Sequence, residues 1–278
     1  MINAKYFLGA LAMVFTLTSC DKNDVYDLIR KRVVNFSVEA EAGQVGGSFI
    51  DNNINNVSVN EILVHSDQSS DNQNAVYSLV SREEGMENLM LPNGNAQLYW
   101  NESVPSQDFV AAYPASKVAM VSGNMVQFAV PTIQSDAESF NYSVASARSI
   151  KDDAQDVRLS LKSVMTTLEL SLDNVDMSDV ATVSFTAGMP CDGNGSFTCD
   201  AVRGIAVDAL SEQTITWVRT KADTQSVVVA LPSVQIDQQN AVKVVVECND
   251  GKLLKATLNP ATAIKAGSKA QVNLSVNE

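Results

Sequence analysis

Histidine is nearly absent: His65 is the only one in 278 residues. That scarcity excludes a multi-histidine zinc centre and the two-histidine metalloprotease helix, both of which need at least two imidazoles. A serine or cysteine nucleophile would have to take His65 as its base, and no Gly-x-Ser-x-Gly elbow is present to display a serine. His65 ends the apolar stretch Ile62-Leu63-Val64, where a hydrogen-bonded structural imidazole is the expectation. Phosphate-cradling glycine loops are missing too, because neither Gly46-Gly47 nor the Gly193/Gly195 pair leads into Lys-Ser/Thr or a strand-to-helix turn. Basic residues are few, 19 Lys and Arg against 32 Asp and Glu, so the clustered cations that release counterions from a phosphate backbone are lacking. Nucleic acid is therefore not an expected partner. The Asn-rich residues 51–56 offer oxygen ligands without the spacing or closing glutamate of a calcium loop, and no metal or other cofactor is expected. Carboxylate pairs for glycoside hydrolysis are defined by their separation in space, so a chain with 32 acids carries no evidence for one. The residues favour a protein that catalyses no reaction.

No apolar run is long enough to span a bilayer. The N-terminal one, residues 6–15 (YFLGALAMVF), follows Lys5 and precedes Leu17-Thr18-Ser19-Cys20, so residues 1–19 read as a signal peptide. Leu17-Thr18-Ser19-Cys20 resembles the bacterial lipobox, which makes Cys20 the candidate lipidation site. Acyl chains there would bury CH₂ groups at about 0.8 kcal/mol each and hold the protein in an outer-membrane leaflet. The alternative is an ordinary secretory peptide with an incidental cysteine. Asp21-Lys22-Asn23-Asp24 looks like the short charged signal that sends bacterial lipoproteins to the outer face of the outer membrane, although a plain polar tether would read the same. Processing leaves 18 basic and 32 acidic residues, a net charge near −14 that keeps a crowded surface protein soluble and self-repelling.

Cysteine is scarce as well. With Cys20 taken by lipid, Cys191, Cys199 and Cys248 remain in a compartment where disulfides persist. Cys191 and Cys199 flank Asp192-Gly193-Asn194-Gly195, a turn sequence that would let them face each other across a hairpin, as a bridge or as two thiols. Cys248 alternates with Val242, Val244 and Val246 and reads as a small buried apolar residue.

What the chain has in quantity is alternation. Val126, Phe128 and Val130; Val157, Leu159 and Leu161; Leu168, Leu170 and Leu172; and Val272, Leu274 and Val276 each recur at every second position, the period of half-buried strands. Turn signals lie between such runs at Pro92-Asn93-Gly94-Asn95, Ser122-Gly123-Asn124, Gly193-Asn194-Gly195 and Asn249-Asp250-Gly251. The last of these predicts a hairpin between residues 242–248 and 252–258. Many short strands and one place for a short helix, residues 208–213, predict an all-β fold. A charged, apolar-poor stretch at residues 150–156 suggests two β-sandwiches in tandem, residues 33–149 and 157–278, behind a tether at residues 20–32.

Aromatics make up 6% of the chain. Tyr99-Trp100 and Tyr113-Pro114 read either as core filling from adjacent strands or as a sugar-stacking platform, and Trp217 in its alternating run reads as core. In order, Leu98-Tyr99-Trp100, Asp108-Phe109-Val110-Ala111-Ala112-Tyr113-Pro114 and residues 126–135 (VQFAVPTIQS) resemble the fimbrillin family of lipoprotein pilins from Bacteroidota. That family shows a Tyr-Trp, an aromatic-Ala-x-Tyr-Pro and a Val-Pro-x-x-Gln in this sequence. Residues 157–172 resemble its next block, with Ser163 or a neighbour where a histidine often stands. Residues 264–274 (IKAGSKAQVNL) resemble its final strand and the Ala-Gly before it.

The resemblance implies two transthyretin-like β-sandwich domains in tandem, export as a surface lipoprotein, and removal of the lipidated segment by a protease that cuts after arginine. Other fimbrial subunits are then the partners, joined by strand exchange, with a host receptor or glycan as the target of adhesion. On this chain the candidate cut is Arg32, ahead of Arg30, although Arg30-Lys31-Arg32 also reads as a basic patch on the tether. The candidate donor strand is residues 264–276, with Ile264, Val272, Leu274 and Val276 as its apolar positions; the same strand could belong to its own second domain. The expected function is a structural subunit of a cell-surface fimbrium, a pilin or a tip or anchor member. The alternative is a surface glycan-binding lipoprotein that assists carbohydrate uptake.

Overall fold

Alternation at period two becomes sheet wherever one face finds a core to bury. The computed structural model describes residues 32–40, 61–80, 88–135, 140–150 and 156–278. The signal peptide, Cys20, Arg30 and the Asn-rich stretch lie outside the described residues. The chain divides into Met1–Val33 and Val34–Glu278, and the description below concerns the second unit.

Its strands are β1 (Phe36–Ala40), β2 (Glu61–His65), β3 (Asn74–Val80), β4 (Asn88–Pro92), β5 (Ser106–Tyr113), β6 (Val118–Ser122), β7 (Met125–Ala129), β8 (Ile133–Ser135), β9 (Ser143–Ile150) and β10 (Val157–Ser163). They continue as β11 (Met165–Asp173), β12 (Val180–Pro190), β13 (Ser196–Asp200), β14 (Ile205–Ala206), β15 (Leu210–Val218), β16 (Val227–Pro232), β17 (Val242–Cys248), β18 (Leu253–Leu258) and β19 (Lys269–Ser275). Two short 3₁₀ turns, Ala115–Lys117 and Met177–Asp179, are the helical segments among the described residues. The protein is all-β.

Seven strands close a barrel in the order β1-β10-β9-β5-β2-β3-β4, with β1 parallel to β10 and antiparallel to β4. The remaining strands form three sheets, β16-β11-β19, β18-β17-β12-β15-β8 and β14-β13-β7-β6. Two apolar cores result. The barrel core gathers Phe36, Tyr77, Trp100, Phe109, Leu159 and Leu161, with Phe36 edge-on to Tyr77 and Phe109 at ring-centroid separations of 5.1 and 5.2 Å. The larger core holds Phe128, Tyr142 and Phe197 in stacked contact together with Leu168, Leu170, Phe185 and Trp217.

β5 and β9 serve both cores. Phe109, Ala111 and Tyr113 belong to the barrel core, whereas the alternate residues Val110 and Ala112 belong to the larger one; Ala145 and Val144 of β9 divide likewise. This explains the unbroken apolar run Phe109-Val110-Ala111-Ala112-Tyr113, because a strand buried on both faces has no polar phase.

The expected boundary between residues 149 and 157 does not follow the strand pairing. β10 begins at Val157 yet completes the barrel, where Val157, Leu159 and Leu161 are buried beside β1. β7 and β8 precede the boundary yet pair with β13 and β15 of the larger group. The reason is that neither core can be closed by strands from one side of the boundary alone. The expected helix at residues 208–213 is also corrected: Leu210 opens β15, which pairs along its whole length with β12, from Leu210↔Pro190 to Val218↔Thr182. Nine register partners outweigh a local helix preference. The hairpin read from Asn249-Asp250-Gly251 is present as β17 and β18, paired Val242↔Leu258 through Glu247↔Leu253, with Gly251 at φ +83° in its turn.

Candidate functional site

The motif residues are best understood by what each does for its own sheet. Tyr99 is half-buried, Trp100 and Tyr113 are 4% and 7% exposed, and Trp100 meets Phe109 edge-on at 5.7 Å. Trp217 is fully buried. Trp100, Tyr113 and Trp217 fill cores, so among the described residues Trp100 and Tyr113 do not join the half-buried Tyr99 in the open stacking platform that a sugar would need. His65 is buried as well, with Nδ1 2.8 Å from Asn74 Oδ1 and Nε2 2.9 Å from Asp67 Oδ1, which ties the β2–β3 connection together.

In the Val130-Pro131-Thr132-Ile133-Gln134 segment, Gln134 is buried and its amide works as a strand partner. Its Nε2 donates to Ala230 O at 2.6 Å and to Pro131 O at 3.1 Å, and its Oε1 accepts from Ala230 N at 2.9 Å. In an antiparallel ladder the N–H and C=O of one residue point to the same side. Gln134 therefore occupies the side of β16 turned away from β11 and couples β8 to it. Sequence reading singled out the glutamine, but nothing local could name Ala230 as its partner.

The Ala-Gly before the last strand has an equally definite role. Thr166 is buried; its Oγ1 donates to Val234 O at 2.9 Å and accepts from Val234 N at 3.2 Å and Gly267 N at 3.1 Å. Gly267 sits at φ +73°, where a Cβ would lie 3.0 Å from Ser163 O, so both conformation and space call for glycine. The turn delivers β19 into a parallel ladder with β11 that runs from Thr167↔Lys269 to Asp173↔Ser275. Across that ladder Glu169 accepts from Gln271 at 3.2 Å and lies 3.3 Å from Lys269 Nζ; these two hydrogen bonds, Gln271 first, hold its carboxyl below the usual range.

The candidate donor residues are thus part of the chain's own sheet. Val272 and Leu274 lie in β19, Val276 just beyond it is buried, and Ile264 forms a bridge with Ile236. Residue Asn277 then exchanges two backbone hydrogen bonds with Lys255 and covers the outer edge of β18. One flank of β16 is occupied by Gln134 and that of β18 by Asn277, while β19 ends its sheet with no strand beyond it among the described residues. Arg32 is exposed.

Cys191, Cys199 and Cys248 are separate, buried thiols. The facing hairpin expected for the first two is corrected: β13 pairs with β7 and β14, so Cys199 lies opposite Val126 and Ala206, not opposite the strand that Cys191 follows. The intervening turn does form, with Asp192 N donating to Ser196 O, but the core pulls the strands after it into another sheet. Burial, with Asp208 and Asp192 nearby, pushes the Cys191 thiol up from 9.0 to about 11, and burial with Asp208 raises Cys199 too.

No curated protein sequence matches the chain. Among solved structures, a candidate cell adhesion protein from Bacteroides uniformis is similar with a TM-score of 0.58 and 15% identity, covering 89% of this chain and 93% of that one. A second candidate cell adhesion protein, from Bacteroides ovatus, is similar with a TM-score of 0.55 and 13% identity, covering 88% and 92%. At these identities the likeness is one of fold. A fimbrillin-like family model matches residues 47–278, which takes in the larger core, every barrel strand except β1, Gln134, the Gly267 turn and β19, and the chain belongs to the fimbrillin-like family.

Proposed function

We propose that the protein is a subunit of a cell-surface fimbrium, serving adhesion as a stalk, tip or anchor member, and joined to other subunits by strand addition. The observation that carries this reading is the family match over residues 47–278. The two cores are then the two transthyretin-like sandwiches, with β6 to β10 interleaved between them. The chain would arrive as a lipoprotein held in the outer membrane through Cys20, and an arginine-specific protease would release it at Arg32. A cut there leaves β1 untouched, and β1 is paired on both sides, so the barrel survives processing. A cut at Arg148 would sever β9 between the two cores, whose strand pairs with all of β5.

Detaching residues 264–276 as a donor would break a seven-residue ladder and expose Leu274 and Val276. The reading that costs least keeps β19 in place as the edge that receives a neighbour's strand, by main-chain hydrogen bonds along an unpaired side. Successive residues of a strand point their backbone groups to opposite sides, so of Val272 and Asn273 one N–H faces β11 and the other faces outward. Val272→Pro and Asn273→Pro, each treated with an arginine-specific protease and tested for filament ladders, separate the two. One variant should fold with a near-normal melting temperature and fail to assemble, and Arg32→Ala should not form ladders. Ladders from both folded proline variants would remove the β19 edge from the proposal.

A further inference from the structure

The sequence contains two Asn-Gly pairs, Asn93-Gly94 and Asn194-Gly195, and the fold holds them differently. An asparagine followed by glycine can lose its amide without any enzyme. The glycine nitrogen, once deprotonated, bonds to the asparagine Cγ; ammonia leaves and a five-membered succinimide remains. Water then opens either carbonyl, giving aspartate or isoaspartate. The balance is one water consumed and one ammonia released, with no oxidant or reductant. Glycine permits the reaction because no Cβ shields the attacking nitrogen and the backbone can twist to reach the ring geometry. A hydrogen bond that holds the asparagine amide in place opposes it.

At Asn194 those requirements are met. Both Asn194 and Gly195 are exposed. The turn is pinned at its base, where Asp192 N donates to Ser196 O at 2.9 Å and Asp192 Oδ1 accepts from Asn194 N at 2.8 Å and Ser196 N at 3.1 Å. Among the described residues nothing bonds the Asn194 side-chain amide or accepts from Gly195 N–H. Gly193 and Gly195 flank the residue at φ +80° and +81°, with no atom within 4 Å of where a Cβ would stand. At Asn93 the side-chain Nδ2 donates to the Glu61 carboxylate and the backbone N donates to Val76 O at 2.8 Å. Its amide is tied to β2.

We infer that Asn194 is a site of spontaneous deamidation and that Glu61 protects Asn93 from the same reaction. The site is placed where the change is felt. Gly195 O accepts from Val130 N at 2.8 Å, immediately beside the Ala129↔Ser196 rung that begins the β7–β13 ladder. An isoaspartyl link adds a methylene to the main chain at that point and displaces the Gly195 carbonyl, and either product adds a carboxylate two residues from Asp192. The turn thus records the age of the subunit as a more negative charge and a looser ladder end.

The test is incubation of the purified full chain at mildly alkaline and mildly acidic pH, followed by digestion and mass analysis. The peptide holding Asn194 should gain about one dalton, the mass difference between an amide and a carboxyl, several-fold faster at the alkaline pH, while the peptide holding Asn93 stays unchanged. Asn194→Gln should convert at least about tenfold more slowly, since the longer side chain must close a less favourable ring. Glu61→Ala should bring Asn93 up towards the rate of Asn194. An Asn194 peptide that stays intact in the folded protein while it converts in urea would overturn the site. Equal conversion of Asn93 and Asn194 in the unmutated fold, or continued protection of Asn93 in the folded Glu61→Ala variant, would overturn the role of Glu61.

Discussion

Single residues carry connections that cross the chain. Gln134 replaces a whole strand neighbour for Ala230, 96 positions away, because an amide side chain offers a donor and an acceptor at the spacing of a peptide group. Gln134→Leu keeps the volume and removes both bonds, leaving Ala230 N–H and C=O buried and unpaired. The expected cost is about 2–5 kcal/mol, measured by urea unfolding, and a loss below about 1 kcal/mol would show that the staple is not needed. Sequence reading marked this glutamine through its motif and Trp217 as core, and left Trp100 between core and a sugar platform. It misplaced Cys191 and Cys199, because a turn sequence specifies that the chain reverses and not which sheet the next strand joins.

Strands are the scale at which most of the protein was legible. Period-two runs located β7, β10, β11, β17 and β19, and Asn-Asp-Gly located a hairpin. Parallel pairings left no local trace: β1 with β10 and β11 with β19 join segments about a hundred residues or more apart, and no turn announces them. The second of these has a testable electrostatic part. The carboxyl of Glu169 is held below its usual 4.5 by Gln271 and Lys269, so the folded state binds its proton less readily than the unfolded chain does. By linkage its stabilisation is present above about pH 4.5 and fades as pH falls through the lowered value. The group is partly exposed, so the effect should stay within about 1 kcal/mol. Acid titration of stability in Glu169→Gln against the parent should show that much less loss below pH 4.5; identical acid profiles would mean that the cluster does not help to hold β19.

At the scale of the whole molecule, β5 and β9 make the two cores interdependent. A strand that packs on both sides cannot leave one core without uncovering the other, so calorimetry should record one unfolding transition. Phe109→Ala, a cavity in the barrel core alone, should lower that single midpoint at a cost of about 3–5 kcal/mol. Barrel melting that leaves the larger core folded would refute the coupling. The sequence by itself determined what depends on near neighbours: the β class, the turns, the core side of each alternating run and the motifs of the family. Tertiary structure alone decided which strands share a core, that β10 returns to the barrel, that the last strand stays in its own sheet and that one of two Asn-Gly pairs is tied down. The physical reason is that alternation specifies a buried face without specifying the partner that buries it, and that choice is made only when distant segments compete for the same apolar surface.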